Sequence, residues 1–176
     1  AVEAAQKNFD IKIFATDVHP GSLDFAGRGL YAAEGLAHLG PERLERFFLR
    51  QGGSHQIRPD LRQQIVFARH NVVKDAPFTR LDLVSCRNLL IYLQPLAQKK
   101  VLSLLHFALK RKGVLLLGPS ETLAGLADEF ETIDTHWRLY KKQREGRIPA
   151  AVLDRDRRFG HPIPAATGET IRSDFS

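Results

Sequence analysis

One cysteine, Cys86, stands in the whole chain. A single sulfur excludes both an internal disulfide and a thiolate-rich metal site, and a reducing cytoplasm is its natural setting. No apolar run reaches the roughly 18 residues of a membrane-spanning helix. The N-terminal stretch Ala1–Asp10 also lacks the apolar segment of a secretory signal. The sequence therefore predicts a soluble cytoplasmic chain without membrane insertion. It contains no internal repeat, and its histidines, His70 and His106 among them, have no spacing suited to metal binding.

What is present fits one compact domain followed by a tail, since 176 residues at 43% hydrophobic can bury one sizeable core. The net charge is +6. The segment from Gln143 holds six Lys/Arg against five Asp/Glu, so +5 belongs to residues 1–142. That excess is scattered over Arg43, Arg46, Arg50, Arg58, Arg62 and Arg69 and interleaved with Glu42 and Glu45. The scatter reads as solvated surface, or secondarily a face for an acidic protein, rather than a nucleic-acid footprint.

Three short β-prone runs organise the chain. Ile11–Ala15 ends in Thr16-Asp17, and the His19-Pro20-Gly21-Ser22 break after it predicts a helix from Leu23. Ile65–Ala68 ends at Arg69-His70-Asn71, and Leu81–Cys86 ends at Arg87-Asn88. From Pro95, apolar residues at helical spacing predict a helix reaching Lys110-Arg111-Lys112, stopped by Gly113. Val114–Leu117 then reads as a strand buried on both faces. Phe130–Ile133 and Trp137–Tyr140 alternate in polarity around Asp134-Thr135-His136, which predicts an antiparallel hairpin. Gly29–Gln64 is too long for a simple crossover and includes a predicted helix Pro41–Leu49. It reads as a small inserted subdomain centred on about residues 36–64. Residues 143–176, rich in proline and charge, read as a flexible linker or tail.

In an open parallel sheet, ligands bind outside the carboxyl ends of the strands. Asp17, Asn71, Arg87 and Asn88 all fall there. An acidic residue after such a strand can accept both hydroxyls of a ribose, and an Asn can meet an adenine edge. Each also has a plainer reading: Asp17 as a helix cap, Asn71 as a turn residue, Arg87-Asn88 as loop ties. Cys86 and Trp137 read as core residues.

Four ordered segments, Phe14–Val18, Phe67–Val72, Cys86–Leu93 and Leu117–Leu123, resemble the chemotaxis receptor methyltransferases, the CheR family. The resemblance covers roughly residues 8–142, and Cys86-Arg87-Asn88-Leu89-Leu90-Ile91-Tyr92 is its most specific part. It implies an α/β, Rossmann-like class I S-adenosylmethionine-dependent methyltransferase sheet, mostly parallel with an antiparallel terminal hairpin, plus the inserted subdomain. The implied reaction is methyl transfer to glutamate side chains of methyl-accepting chemotaxis receptors, leaving S-adenosylhomocysteine. By resemblance, Asp17 would bind the cofactor ribose, Asn71 and Val72 would meet the adenine, Arg87 and Asn88 would close over the cofactor, and Tyr92 with Arg87 would serve catalysis.

Two departures accompany the resemblance. The family's first strand and glycine-rich cofactor loop are absent, which implies a partial domain of a longer protein that binds cofactor weakly by itself. The stretch around Gly52–Asp60 is shorter than in members that dock a receptor peptide. Hybrids joining this enzyme to a receptor demethylase domain and sensor domains resemble the Thr135–Tyr140 ending and charged tail. A nicotinamide-dependent Rossmann enzyme and a non-catalytic sensing or docking module are the alternatives. The terminal hairpin speaks against the first.

Overall fold

A computed structural model describes residues 9–144. The segment 145–176, which holds nearly all of the expected tail, lies outside the described residues. The chain divides into two compact units, residues 1–75 and 76–176.

The first unit begins with strand β1 (Ile13–Asp17), helix α1 (Pro20–Arg28) and strand β2 (Leu30–Ala32). Helix α2 (Pro41–Phe47), the hairpin strands β3 (Phe48–Gln51) and β4 (Ser54–Ile57), helix α3 (Pro59–Arg62) and strand β5 (Ile65–Arg69) follow. β1 and β5 pair in parallel from Ile13↔Ile65 to Asp17↔Arg69, and β2, β4 and β3 make an antiparallel sheet in that order. α1 starts three residues earlier than Leu23 because His19 caps it: its ring Nδ1 accepts the Ser22 N–H at 3.1 Å. It stops at Gly29, whose φ of 63° closes the helix with an N–H to Ala26 O. α2 is shorter than its periodicity predicts. Phe48 and Leu49 join β3, because the Gly52-Gly53 turn folds that strand back onto β4.

The second unit holds strand β6 (Leu81–Cys86), a 3₁₀ turn at Leu90–Tyr92, helix α4 (Pro95–Ala108), strand β7 (Leu109–Leu117), and strands β8 (Phe130–Asp134) and β9 (Leu139–Lys142). Its sheet runs β6-β7-β9-β8, with β6 and β7 parallel and β9 antiparallel to both neighbours. The parallel pairs with an antiparallel terminal hairpin are the mixed α/β arrangement expected of a Rossmann-like methyltransferase sheet. Each of the four α-helices among the described residues begins with proline, which has no N–H to satisfy at that position.

The end of α4 differs from the sequence expectation. The helix stops at Ala108, and Leu109–Lys112 belong to β7, whose register against β6 slips between Leu81 and Leu83. The cause is a distant side chain. Lys142, 2% exposed, donates from Nζ to the carbonyls of His106 and Leu109, each at 2.7 Å, and so satisfies the helix end. Val101, Leu102 and Leu105 of α4 and Leu115, Leu117 and Tyr140 of the sheet are buried in the core of this unit. Truncating a buried leucine of this kind to alanine costs about 2–5 kcal/mol. Trp137 is not part of that core. It sits exposed in the β8–β9 turn, edge-on to His136. No helix among the described residues is long and apolar enough to cross a membrane.

Candidate functional site

The carboxyl ends of β1 and β5 lie side by side, because the two strands are parallel and in register to their last residues. Asp17 closes β1, and its backbone carbonyl accepts the His70 N–H at 3.0 Å. Its carboxylate does not cap α1, a task taken by His19; Oδ1 instead accepts the His19 N–H at 2.9 Å. Oδ2 makes no hydrogen bond among the described residues.

Asn71 follows β5 and builds the turn behind it. Its Oδ1 accepts the N–H groups of Val73 and Lys74 at 3.0 and 3.2 Å, and its own N–H donates to Asp75 Oδ2 at 2.7 Å. The turn reading of Asn71 is therefore correct as far as its oxygen is concerned, while its side-chain amide nitrogen has no partner among the described residues. Val72, the next residue, makes no backbone hydrogen bond among the described residues, which leaves it one donor and one acceptor. Asp17, Asn71 and Val72 thus belong to one edge of the first unit.

The second unit has its own edge. Arg87 and Asn88 leave β6 where Cys86 pairs with Leu117, the last residue of β7. Arg87 is exposed, and its guanidinium makes no hydrogen bond or ion pair among the described residues. Asn88 takes a left-handed backbone, φ 57°, which asparagine tolerates better than most residues. Tyr92, at the end of the 3₁₀ turn, is 79% exposed.

These residues ride on a loop held by a side chain that carried no role in the sequence reading. Glu121, 2% exposed, accepts the N–H groups of Leu89 and Leu90 at Oε1, 2.8 and 2.7 Å, and that of Gly118 at Oε2, 2.6 Å. Gly118 has no room for a side chain: a Cβ would lie 2.7 Å from both Asn88 Oδ1 and Glu121 Oε2. The available signal was position, since Gly118–Glu121 follows a parallel strand as directly as Arg87-Asn88 does. Cys86 is buried beside this cluster. Its thiol is pushed up to about 11, first by burial and then by the charge of Glu121, which makes it an inert core group.

Comparison with known proteins matches residues 1–139 to the model of the CheR methyltransferase, SAM binding domain. A 104.1 kDa protein of Rhodobacter capsulatus, described as uncharacterized, is 45% identical over 170 residues, which cover 95% of this chain and 17% of that protein. The chemotaxis protein methyltransferase 2 of Vibrio cholerae is 34% identical over 69% of this chain and 43% of its own length. The chemotaxis protein methyltransferase 1 of Pseudomonas aeruginosa is 34% identical over 70% of this chain and 46% of its length. The chain spans less than half of each of these three relatives. With Asp17 closing β1, Asn71 and Asn88 each two residues beyond a parallel strand, and a match over residues 1–139, the chain belongs to the CheR methyltransferase family, in the region of its domain that binds S-adenosylmethionine.

Proposed function

We propose that this chain forms part of a cytoplasmic enzyme that methylates glutamate side chains of methyl-accepting chemotaxis receptors. The observation that carries the reading is that Asp17, paired with Arg69 at the end of β1, and Asn71, two residues beyond β5, lie at adjacent carboxyl strand ends within the matched family region. Their donor set fits a nucleoside. Asp17 Oδ2 is an open acceptor for a ribose hydroxyl, while Oδ1 is shared with His19 N–H. Asn71, with its oxygen committed to the turn, can only donate to an adenine ring nitrogen. Val72 N–H and C=O add a donor and an acceptor for the same base edge.

When bound, S-adenosylmethionine supplies an electrophilic methyl on a cationic sulfur. The receptor carboxylate is already an anion at neutral pH, so no general base and no metal are required. The cofactor would supply a methyl carbon whose bond to sulfur breaks as the carboxylate oxygen bonds to it, the electron pair going to sulfur in S-adenosylhomocysteine. The task of the chain's own residues is alignment and exclusion of water. Arg87 and Tyr92, exposed on the loop after β6, are suited to receive the carboxylate and orient it toward the methyl carbon.

Methyl transfer from labelled cofactor to receptor, measured with the full-length protein, tests this. The label is expected in protein and to be released as methanol by mild base, as carboxyl esters require. Base-stable label would exclude glutamate as acceptor. Cofactor binding without transfer would leave a non-catalytic sensing module.

A further inference from the structure

We infer that Glu121 is a positioning residue for this site: a buried carboxylate that clamps the loop bearing Arg87, Asn88 and Tyr92 to the end of β7. This inference rests on the cofactor and methyl-transfer reading above. All of the groups involved lie in one compact unit.

The clamp has three parts. First, Glu121 is held close to its strand by a turn, with its N–H on Gly118 O at 3.1 Å, while both side-chain oxygens remain for the loop and strand end. Second, those oxygens take three backbone N–H groups, two from the β6 loop and one from the end of β7. A carboxylate is the side chain suited to this, because it offers two acceptor atoms and no donor, and hydrogen bonds to a charged acceptor are the short, strong ones. Third, the Gly118 backbone fits against Asn88 with no space for a Cβ, so the loop is located by contact as well as by hydrogen bonds.

A loop that carries an exposed arginine and a tyrosine would otherwise sample many conformations. With Leu89 and Leu90 N–H fixed on one oxygen and Leu90 buried, Arg87-Asn88 is fixed on one side of the clamp and the turn ending at Tyr92 on the other. Glu121 itself is buried with both oxygens occupied, so it acts through the loop rather than on substrate.

The test replaces Glu121 by Gln in the full-length protein. Glutamine keeps size and one acceptor but converts the other arm to a donor, so either Gly118 N–H or the Leu89 and Leu90 pair faces an N–H₂ group. At a temperature where both proteins are folded by circular dichroism, exchange of the affected amides should quicken about tenfold. Binding of S-adenosylhomocysteine or turnover at saturating cofactor should fall at least about fivefold. A folded variant with lower thermal stability but unchanged affinity and turnover overturns the inference and leaves Glu121 a stability residue. If Glu121→Gln does not fold, the unaltered protein decides: S-adenosylhomocysteine should slow exchange of the Leu89, Leu90 and Gly118 amides together. No slowing with cofactor bound overturns the clamp alone. An unaltered protein that binds no S-adenosylhomocysteine removes the cofactor reading and this role with it.

Discussion

Cys86 and Glu121 are electrostatically linked: burial, reinforced by the Glu121 charge, pushes the Cys86 thiol up to about 11. The raised value means that the folded protein holds this proton when the unfolded chain would release it. The corresponding stability is complete below the unfolded value of 9.0 and is lost as pH rises toward about 11. Cys86→Ala should therefore flatten the pH dependence of unfolding between about pH 9 and 11. At pH 8, iodoacetamide should modify Cys86 in the folded protein far more slowly than in denaturant. Equal rates would show the thiol to be exposed.

Asp17→Ala in the full-length protein should weaken S-adenosylhomocysteine binding at least tenfold, about 1.4 kcal/mol, by removing charge-assisted hydrogen bonds to the ribose. The fold should survive because Asp17 is exposed. Calorimetry reads the affinity, and an unchanged value would remove Asp17 from the site.

Tyr92→Phe should leave cofactor affinity nearly unchanged and lower the single-turnover rate of methyl transfer, roughly tenfold for the loss of one orienting hydroxyl. At 79% exposure the residue contributes little to folding, so an altered melting temperature is not expected. A wild-type rate would reduce Tyr92 to a surface residue.

Lys142→Met tests the end of α4. The substitution keeps bulk but leaves the His106 and Leu109 carbonyls without their donor. Leaving such buried groups unsatisfied costs about 1–3 kcal/mol each. Thermal unfolding should shift down by several degrees, and a midpoint equal to the parent's would refute the capping role.

β6 is an edge strand of its sheet among the described residues, and Leu83 on it is 60% exposed. An apolar strand with an open edge invites pairing with another chain. Residues 1–176 alone should self-associate by light scattering, and Leu83→Lys should reduce that association. Monodisperse behaviour of the unaltered chain would count against an open edge.

What could be read from the sequence was local. Leu81–Cys86 and Ile65–Ala68 were evident as apolar runs bounded by polar residues, and the placement of Asp17, Asn71 and Arg87-Asn88 at or just beyond strand ends followed from where those runs stop. What could not be read depended on residues far apart in the chain. Nothing near Ala108 announces that the helix ends there, because the group that ends it, Lys142, arrives from β9. Trp137 looked like a core residue by type, yet Arg138, at φ 53°, turns the chain there and places the indole outside. Glu121 carried no role in the sequence because its three partners come from its own turn and from a loop some 30 residues earlier.

The anchoring of α4 by Lys142 also bears on how this fold can be joined to others. The matched family region stops at residue 139, but the lysine that seals the helix and Gln143, whose N–H meets Glu129 O at 3.0 Å, come after it. A graft cut at the family limit would therefore remove Tyr140, Lys141 and Lys142, most of β9, together with the fastening of α4, while keeping every candidate site residue. Fusions that splice after Gln143 keep β9 and its lysine whole, whereas those spliced three or four residues earlier require the new partner to supply both a strand between β7 and β8 and a cation at the same place.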